Sequence, residues 1–408
     1  MARNRTIPHC LTRARKGFTL LGAAVFFGGL FTTPAAAQTT FTFGGFVKFD
    51  AIATDFNNGT VDNNDVLRDI HLPGAIPVGG VNETFATLDY HAKESRFNLG
   101  TLTVLPNGKT VRSFFEVDFL LAGQGDERVS NSYNPRLRHA FFEYGDWLMG
   151  QTWSTFMILD LVEDLDFAGT AEGLVFNRQP QVRFTRGGFQ AALESSETTL
   201  TPWQRTGRVT SGNALSPDLI VRYDYAGDWG RVSGAGLLRR LNHEFEDTEQ
   251  IIRNETATGA GVTVGGLINV ASQDDIRFEG TVGTGLGRYL ALNFINGAQI
   301  LGDETIEAIP SFNGFVGYRH WWTEQWRSNA NYSFFEAENS PSITDDGVNE
   351  SAWSASVNVI YSPVPSLDFG IEYMHAERRL DSGDSGSFER FQFSGKYAFS
   401  FMAEGQNQ

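Results

Sequence analysis

The sequence is poor in cysteine. Its 408 residues include one, Cys10. A single cysteine cannot form an internal disulfide, and a chain with no cysteine beyond position 10 offers neither a thiolate metal site nor a cysteine nucleophile. A lipid-anchored protein would carry a cysteine directly after an apolar N-terminal stretch, whereas Cys10 precedes that stretch. We therefore expect no disulfide, no lipid anchor and no metal site.

Cofactor-binding motifs are also missing. The run from Gly283 to Gly287 has the glycine spacing of a weak dinucleotide fingerprint, but it lies inside an alternating segment and no helical pattern comes after it. His320 has no second histidine or cysteine at the spacing of metal ligands. The sequence predicts a protein without a cofactor.

Long apolar runs are nearly absent, and the mean hydropathy is −0.24. Apart from Gly17 to Phe31, no stretch approaches the roughly 20 apolar residues that a membrane-spanning helix needs. This excludes a bundle of membrane helices. It leaves a membrane β-barrel open, because only alternate residues of a barrel strand face lipid.

Residues 1–37 have the pattern of an export signal. This segment contains no acid. Its cations all precede the apolar stretch, and they are Arg3, Arg5, Arg13, Arg15 and Lys16. Ala35, Ala36 and Ala37 then fit the small-residue cleavage site. We predict cleavage after residue 37, which leaves residues 38–408 as one exported domain. The alternative is an uncleaved N-terminal anchor helix.

Basic residues are outnumbered. The chain has 32 Lys and Arg against 48 Asp and Glu, for a net charge of −16, and the predicted signal contains cations only. Such an acidic surface repels nucleic acid, so we expect no nucleic-acid partner.

Period-2 alternation is the pattern that the sequence does contain. From Phe391 to Phe401 every odd residue is aromatic or glycine, and every even residue is small or polar. Similar alternation recurs from Phe41 onward. This pattern is typical of strands that face lipid on one side and a wet lumen on the other, with Gln392 and Lys396 pointing into the lumen.

Short polar turns alternate with longer charged segments along residues 38–408. This spacing predicts an all-β, transmembrane antiparallel β-barrel of about 16 strands, with short periplasmic turns, long extracellular loops and a constriction loop in the pore. Residues 246–259 and 381–387 are among the segments expected as long loops, and residues 402–408 as a short C-terminal tail. Such a barrel belongs in the outer membrane of a Gram-negative bacterium, after export.

Several segments resemble one known family: Phe43–Ala51, Ser95–Gly100, Phe115–Phe119, Arg138–Tyr144 and Gly150–Ser154. They are similar to the DcaP-like trimeric outer-membrane porins, and the resemblance covers nearly all of residues 38–408. It implies a 16-stranded homotrimer through which small solutes diffuse, often anionic ones such as dicarboxylates. The sequence departs from that family in having no long N-terminal extension and in continuing past Phe401.

The third long segment, residues 157–179, is expected to be the constriction loop. The acids assigned to the constriction are Asp160, Glu163, Asp164 and Asp166. Glu172, in the same segment, is expected at the surface. Alternation places six cations on lumen-directed faces: Lys48, Arg112, Arg136, Arg138, Arg183 and Arg222.

Guanidinium groups suit carboxylate or phosphate groups on a passing solute, and acids facing bases across a narrow lumen would give a strong transverse field. Arg136 and Arg138, just before the loop, are the best candidates for solute contact. The alternative is that inward charges pair with each other and only brace the wall.

Three functions stay open. The first is a diffusion channel for small hydrophilic, anionic solutes, with outer-membrane lipid, lipopolysaccharide and two further copies of the chain as partners. The second is an outer-membrane hydrolase, although no histidine after residue 37 has a nucleophile partner by motif, so we assign no catalytic residue. The third is a non-conducting structural or adhesive barrel. The chain is too short for a plug domain within a 22-stranded barrel.

Overall fold

The computed structural model describes residues 38–80, 84–121, 130–158, 163–211, 216–246, 249–271, 273–340 and 347–404. The predicted signal at residues 1–37 and Asp160 lie outside the described residues, as does most of the predicted tail. Among the residues described, no helix has the length and apolar character needed to cross a membrane.

The described part of the chain forms sixteen antiparallel strands that close into one barrel. The first eight are β1 (Gln38–Asn57), β2 (Thr84–His91 with Arg96–Val104), β3 (Thr110–Asp118), β4 (Arg136–Tyr144), β5 (Trp147–Trp153), β6 (Arg178–Arg186), β7 (Phe189–Glu194) and β8 (Asp218–Gly227). The others are β9 (Gly230–Glu246), β10 (Ile252–Asn269), β11 (Asp275–Thr284), β12 (Pro310–Trp321), β13 (Trp326–Ala337), β14 (Asn349–Val364), β15 (Leu367–Leu380) and β16 (Ser385–Glu404). The predicted fold is confirmed.

The barrel closes where β16 meets β1. The two strands pair continuously from Thr40 with Glu404 to Asn57 with Ser387, which leaves the sheet without a free edge. Met402, expected to begin the tail, pairs instead with Thr42 and continues the strand.

The strands are apolar outside and polar inside. On β16, Phe391, Phe393 and Tyr397 are 58%, 41% and 53% exposed, whereas Gln392 and Ser394 are 3% and 2% exposed. A water-soluble sheet would bury the aromatic face. This arrangement instead matches the predicted alternation of a barrel whose outer surface is apolar.

A break at residues 92–95 interrupts β2. Asp50 of β1 pairs with His91, but Phe46 pairs with Arg96, so β2 contains one more residue than β1 between these two pairs. An extra residue of this kind reverses which alternate side chains face outward. The bulge therefore turns Arg96 toward the interior.

Connections alternate in length around the barrel. The short ones at one end are residues 105–109, 145–146, 187–188, 228–229, 270–274, 322–325 and 365–366. The connections at the other end are residues 58–83, 119–135, 154–177, 195–217, 247–251, 285–309, 338–348 and 381–384. The long loops expected at 246–259 and 381–387 are wrong, because β9 pairs with β10 out to Glu246 and β15 pairs with β16 out to Ser385.

Two of the long connections fill part of the interior. In the connection 58–83, the 3-10 turns Val66–Arg68 and Pro73–Ala75 bury Leu67 and Ile76 against Phe388 of β16. In the connection 285–309, the turn Gly287–Tyr289 leads into a second apolar cluster.

That second cluster contains Tyr289, Phe294 and Phe156. Beside it, the strands Thr198–Thr201, Val209–Ser211, Ala298–Ile300 and Ile306–Ala308 form a small separate sheet. Loops rather than barrel strands thus supply most of the apolar core.

Candidate functional site

The described residues of the connection 154–177 lie inside the barrel, and we call this connection the inward loop. Its ends are joined by a hydrogen bond of 2.9 Å from the amide of Ser154 to the carbonyl of Asn177. Near its tip is the 3-10 turn Ala171–Gly173. A Cβ at Gly173 would lie 2.4 Å from the carbonyl oxygen of Gly314, so only glycine allows the loop to approach β12 this closely.

Glu163 is the first described residue after position 158 of this loop, and it attaches the loop to the barrel wall. Its carboxylate accepts a hydrogen bond of 2.9 Å from Arg319 and one of 2.5 Å from Arg327. Burial alone would raise the pKa of Glu163, but the charges of Arg327 and Arg319 outweigh it and hold the pKa below its ordinary value. The loop is thereby bound to β12 and β13 as an ion pair.

Asp164 makes a different contact with the same wall. It accepts hydrogen bonds from the amide of Asn331 and from the hydroxyl of Ser356, the latter at 3.3 Å. Burial, and then the negative charges of Glu372 and Asp166, raise the pKa of Asp164 well above its usual range. Burial and these neighbouring charges therefore disfavour the ionised form of Asp164.

Asp166 joins the inward loop to two other parts of the barrel. Its carboxylate accepts a hydrogen bond of 2.9 Å from the amide of His71 and one of 3.1 Å from Arg390 on β16. A third bond, of 3.1 Å from the amide of Ala168, folds the loop back on itself. The loop 58–83, the inward loop and β16 thus meet at one carboxylate.

The expectation that Glu172 is exposed is wrong, because its side chain is fully buried. Its carboxylate bonds to His71 Nε2 at 2.6 Å, to Ser354 Oγ at 2.6 Å and to Ser333 Oγ at 3.0 Å. The 3-10 turn inserts this acid between strands that are more than 150 residues further along the chain. Local sequence carries no sign of such partners.

Two of the cations predicted to line the pore hold the loop backbone. Lys48 donates to the carbonyl oxygen of Leu165 at 2.6 Å and is also paired with Glu94. Arg222 donates from Nη1 to the carbonyl oxygen of Met157 at 2.6 Å. Both side chains face the interior, and both position the inward loop.

Four arginines from three strands converge on the opposite side of the loop. We call Arg96, Arg136, Arg138 and Arg178 the arginine cluster. Arg136 forms two hydrogen bonds with Asp118, and Arg138 bonds to Glu116 at 2.7 Å. The two residues predicted as the best candidates for solute contact are therefore ion-paired with the wall.

Arg96 and Arg178 are less fully paired. Within the described residues, Arg96 Nε and Arg178 Nη1 are buried and have no hydrogen-bond partner. Neither is among the cations that alternation assigns to the pore. Arg178 falls within the segment predicted as the constriction loop, although it opens β6, and the bulge at 92–95 conceals the inward direction of Arg96. Only their proximity to Arg136 and Arg138 in the fold reveals them.

Aromatic rings cover this cluster. The ring of Phe167, on the inward loop, is centred 5.5 Å from the guanidinium carbons of Arg96 and Arg138 and 5.6 Å from that of Arg136. Trp153 lies 4.7 Å from Arg178 in the same manner. Guanidinium groups stack favourably on aromatic faces at these distances.

The remaining two predicted cations lie apart from the cluster. Arg112 is about half exposed and pairs with Glu143 at 3.2 Å. Arg183 is half-buried on β6, and in the described structure its Nε has no hydrogen-bond partner. Both are on the inner face of the barrel, but neither forms a hydrogen bond or ion pair with the described residues of the inward loop.

The site therefore has two unlike sides. The described acids of the inward loop are bound to the wall formed by β12–β16 and the loop 58–83, and the arginine cluster occupies the wall formed by β2, β4 and β6. Unpaired guanidinium N–H groups are suited to bind carboxylate or phosphate oxygens. No three acidic, histidine or cysteine side chains in the described ranges converge as a metal site would require.

Comparison with known proteins identifies the relatives of this barrel. The sequence profile of the family described as DcaP outer membrane protein matches residues 32–399. The curated protein sequences contain no match to the chain.

Among solved structures, the barrel is similar to the outer membrane channel DcaP of Acinetobacter baumannii. The two share 24% sequence identity with a TM-score of 0.71, over 90% of this chain and 99% of that one. An anion-selective porin from Comamonas acidovorans aligns with 11% identity and a TM-score of 0.52, over 88% of this chain and 100% of the porin. OmpT of Vibrio cholerae aligns with 8% identity and a TM-score of 0.51, over 91% of this chain and 100% of OmpT.

Proposed function

Because the chain belongs to the DcaP outer membrane protein family, we propose that it is a passive diffusion channel for small hydrophilic solutes, with a preference for anions such as dicarboxylates. The chain reaches the outer membrane after removal of residues 1–37 and functions there as a homotrimer, in contact with lipid and lipopolysaccharide. The pathway for solutes runs between the inward loop and the arginine cluster.

The observation that carries this proposal is the pairing pattern of the arginine cluster. Arg136 and Arg138 are bound to Asp118 and Glu116, whereas Arg96 and Arg178 keep buried N–H groups without a partner among the described residues. Arg96 has an ion pair with Glu94 at 3.5 Å, so the wall neutralises it only in part. A guanidinium that is not fully neutralised attracts anions and donates hydrogen bonds to their oxygens.

The loop acids support the same preference. Glu163 is neutralised by Arg319 and Arg327, and Asp166 by Arg390. These acids therefore contribute less negative field to the pathway than their number in the sequence suggests. The positive side of the site is left as the stronger influence on a passing ion.

Recordings from the purified protein in planar lipid bilayers test the proposal. We expect stepwise conductance, with steps in groups of three if the unit is a trimer. Across a KCl gradient, we expect a reversal potential of the sign that favours chloride. A barrel that inserts without conducting would support the structural or adhesive alternative instead, and a cation-favouring potential would remove the anion preference.

A further inference from the structure

We propose that Phe167 is the gate of this channel: its ring covers the arginine cluster and sets the size of solute that passes. The inference rests on the proposed diffusion function and adds a residue that determines which solutes are admitted. Phe167 is on the inward loop, and its ring faces the wall opposite.

The ring of Phe167 reaches across to three guanidinium groups. It lies within 5.6 Å of Arg96, Arg136 and Arg138, which belong to β2 and β4. A solute that binds these guanidinium groups competes with the ring for access to them. A side chain that extends from a loop in the lumen to the facing wall also narrows the opening there.

The backbone on either side of Phe167 is held in place. The carbonyl of Leu165 accepts bonds from Lys48 at 2.6 Å and from Gln392 at 3.1 Å. Asp166 is bound to Arg390, and its carboxylate also fixes the amide of Ala168. The loop therefore presents the ring from a fixed backbone, and a change in opening is a rotation of the side chain.

Burial along the loop agrees with this picture. Asp166 and Ala168 are buried, while Phe167 between them is partly exposed. Its apolar neighbour is Phe176, which meets it edge to face at 5.7 Å. The ring thus contacts the ring of Phe176 on the loop side and cations on the other.

The energetics allow an anion to displace the ring. A ring over a partly hydrated guanidinium is held weakly compared with the charge-assisted hydrogen bonds that a carboxylate forms with the same group. Phe167 is partly exposed, and side-chain rotations at exposed positions take picoseconds to nanoseconds. A small anion therefore displaces the ring of Phe167 and passes, whereas the ring obstructs a bulky or neutral solute.

Replacement of the ring is the first test. In Phe167→Ala we expect the single-channel conductance to rise by about twofold, with the reversal potential still favouring anions, because the cations are uncovered rather than removed. Phe369→Ala is the matched control, since Phe369 is on the outer face and 39% exposed. An unchanged conductance in Phe167→Ala, in protein with normal heat-modifiable mobility on gels, would overturn the gate.

A cysteine at the same position is the second test. With Cys10→Ser, the chain has no other thiol, so Phe167→Cys can be modified selectively in the open channel. We expect a charged methanethiosulfonate reagent to reduce the current, and the anionic reagent to react faster than the cationic one. Phe369→Cys should show no loss of current, and a Phe167→Cys channel insensitive to both reagents would contradict the proposal.

The two proposals fail in different ways. A wild-type protein without conductance removes the diffusion function and the gate together. A conducting, anion-preferring wild type whose conductance is unaffected by Phe167→Ala removes the gate alone.

Discussion

Arg136 and Asp118 are joined by two parallel hydrogen bonds, from Nε to Oδ1 at 2.8 Å and from Nη2 to Oδ2 at 2.7 Å. Asp118 is fully buried, and it also accepts a bond of 3.0 Å from Arg138. One carboxylate therefore fixes two members of the arginine cluster in position. The pairing separates cations that wall acids hold, such as Arg136, from Arg96 and Arg178, each of which keeps a buried N–H group without a hydrogen-bond partner among the described residues.

Arg178→Gln should weaken the anion preference most directly. The change removes a guanidinium with an unpaired N–H group and leaves no described acid without a partner, so we expect the anion-to-cation permeability ratio to fall by roughly twofold. The reversal potential across a KCl gradient measures it. Arg112→Gln is the control, because Arg112 is about half exposed and away from the cluster. Equal shifts in both variants would count against a special role for Arg178.

Arg136→Ala combined with Arg138→Ala should lower both selectivity and stability. Asp118 and Glu116 would lose their partners, which makes the pathway more negative and leaves a buried charge uncompensated. Breaking a buried pair in this way costs about 3–5 kcal/mol, so the temperature of unfolding in detergent should drop clearly. Asp118→Asn introduced into the double variant should recover part of that loss. A double variant with wild-type selectivity would exclude both arginines from the filter.

The attachment of the inward loop should weaken in acid. Because the pKa of Glu163 is lower in the fold than its ordinary value of 4.5, its contribution is complete above that pH and is lost as the pH falls through the lower, folded-state pKa. We expect open-channel current noise to increase in that acidic range. Glu163→Gln should show the noise already at neutral pH, at a cost of about 2 kcal/mol in stability. A wild type and a variant with identical pH profiles would disprove this anchor.

Gly173→Ala should push the loop tip away from the wall. The added Cβ would meet the backbone oxygen of Gly314 at 2.4 Å, and an overpacked contact of this kind costs about 1–3 kcal/mol. We expect a lower unfolding temperature and an altered conductance. Gly280→Ala is the matched control, since Gly280 pairs with Gly314 yet has nothing within 4 Å of its Cβ position. Comparable losses in the two variants would show that the loop contact is not the cause.

The barrel itself could be predicted from local pattern. Alternation such as that of Phe391, Gln392 and Phe393 is a property of each strand alone, and the short turns mark where strands end. The strand ends at the rim with the longer connections were less predictable. Residues 252–259 are mostly polar, but they extend β10 because β9 offers backbone partners out to Glu246.

The site could be predicted only in outline. The position of the inward loop follows from its length and charge, but partners such as His71 for Glu172 are about 100 residues away in sequence, and no local signal links them. Bulges add to the difficulty. The register shift opposite Glu116 and the extra residue at 92–95 each reverse the face on which the next residues of the strand lie, so strict alternation does not locate Arg96. Whether the predicted cations contact solute stays a prediction.

The seam between β1 and β16 has a consequence for biogenesis. It joins the first and the last strands of the barrel, whose partners are more than 300 positions apart, such as Phe43 and Phe401. A fragment that lacks β16 cannot close the barrel. Arg390, near that seam, is also paired with Asp166, so the last of the sixteen barrel strands in chain order helps to hold the inward loop in place. Removal of β16 should therefore leave an open sheet that has free edges, is prone to aggregate and does not enclose a channel.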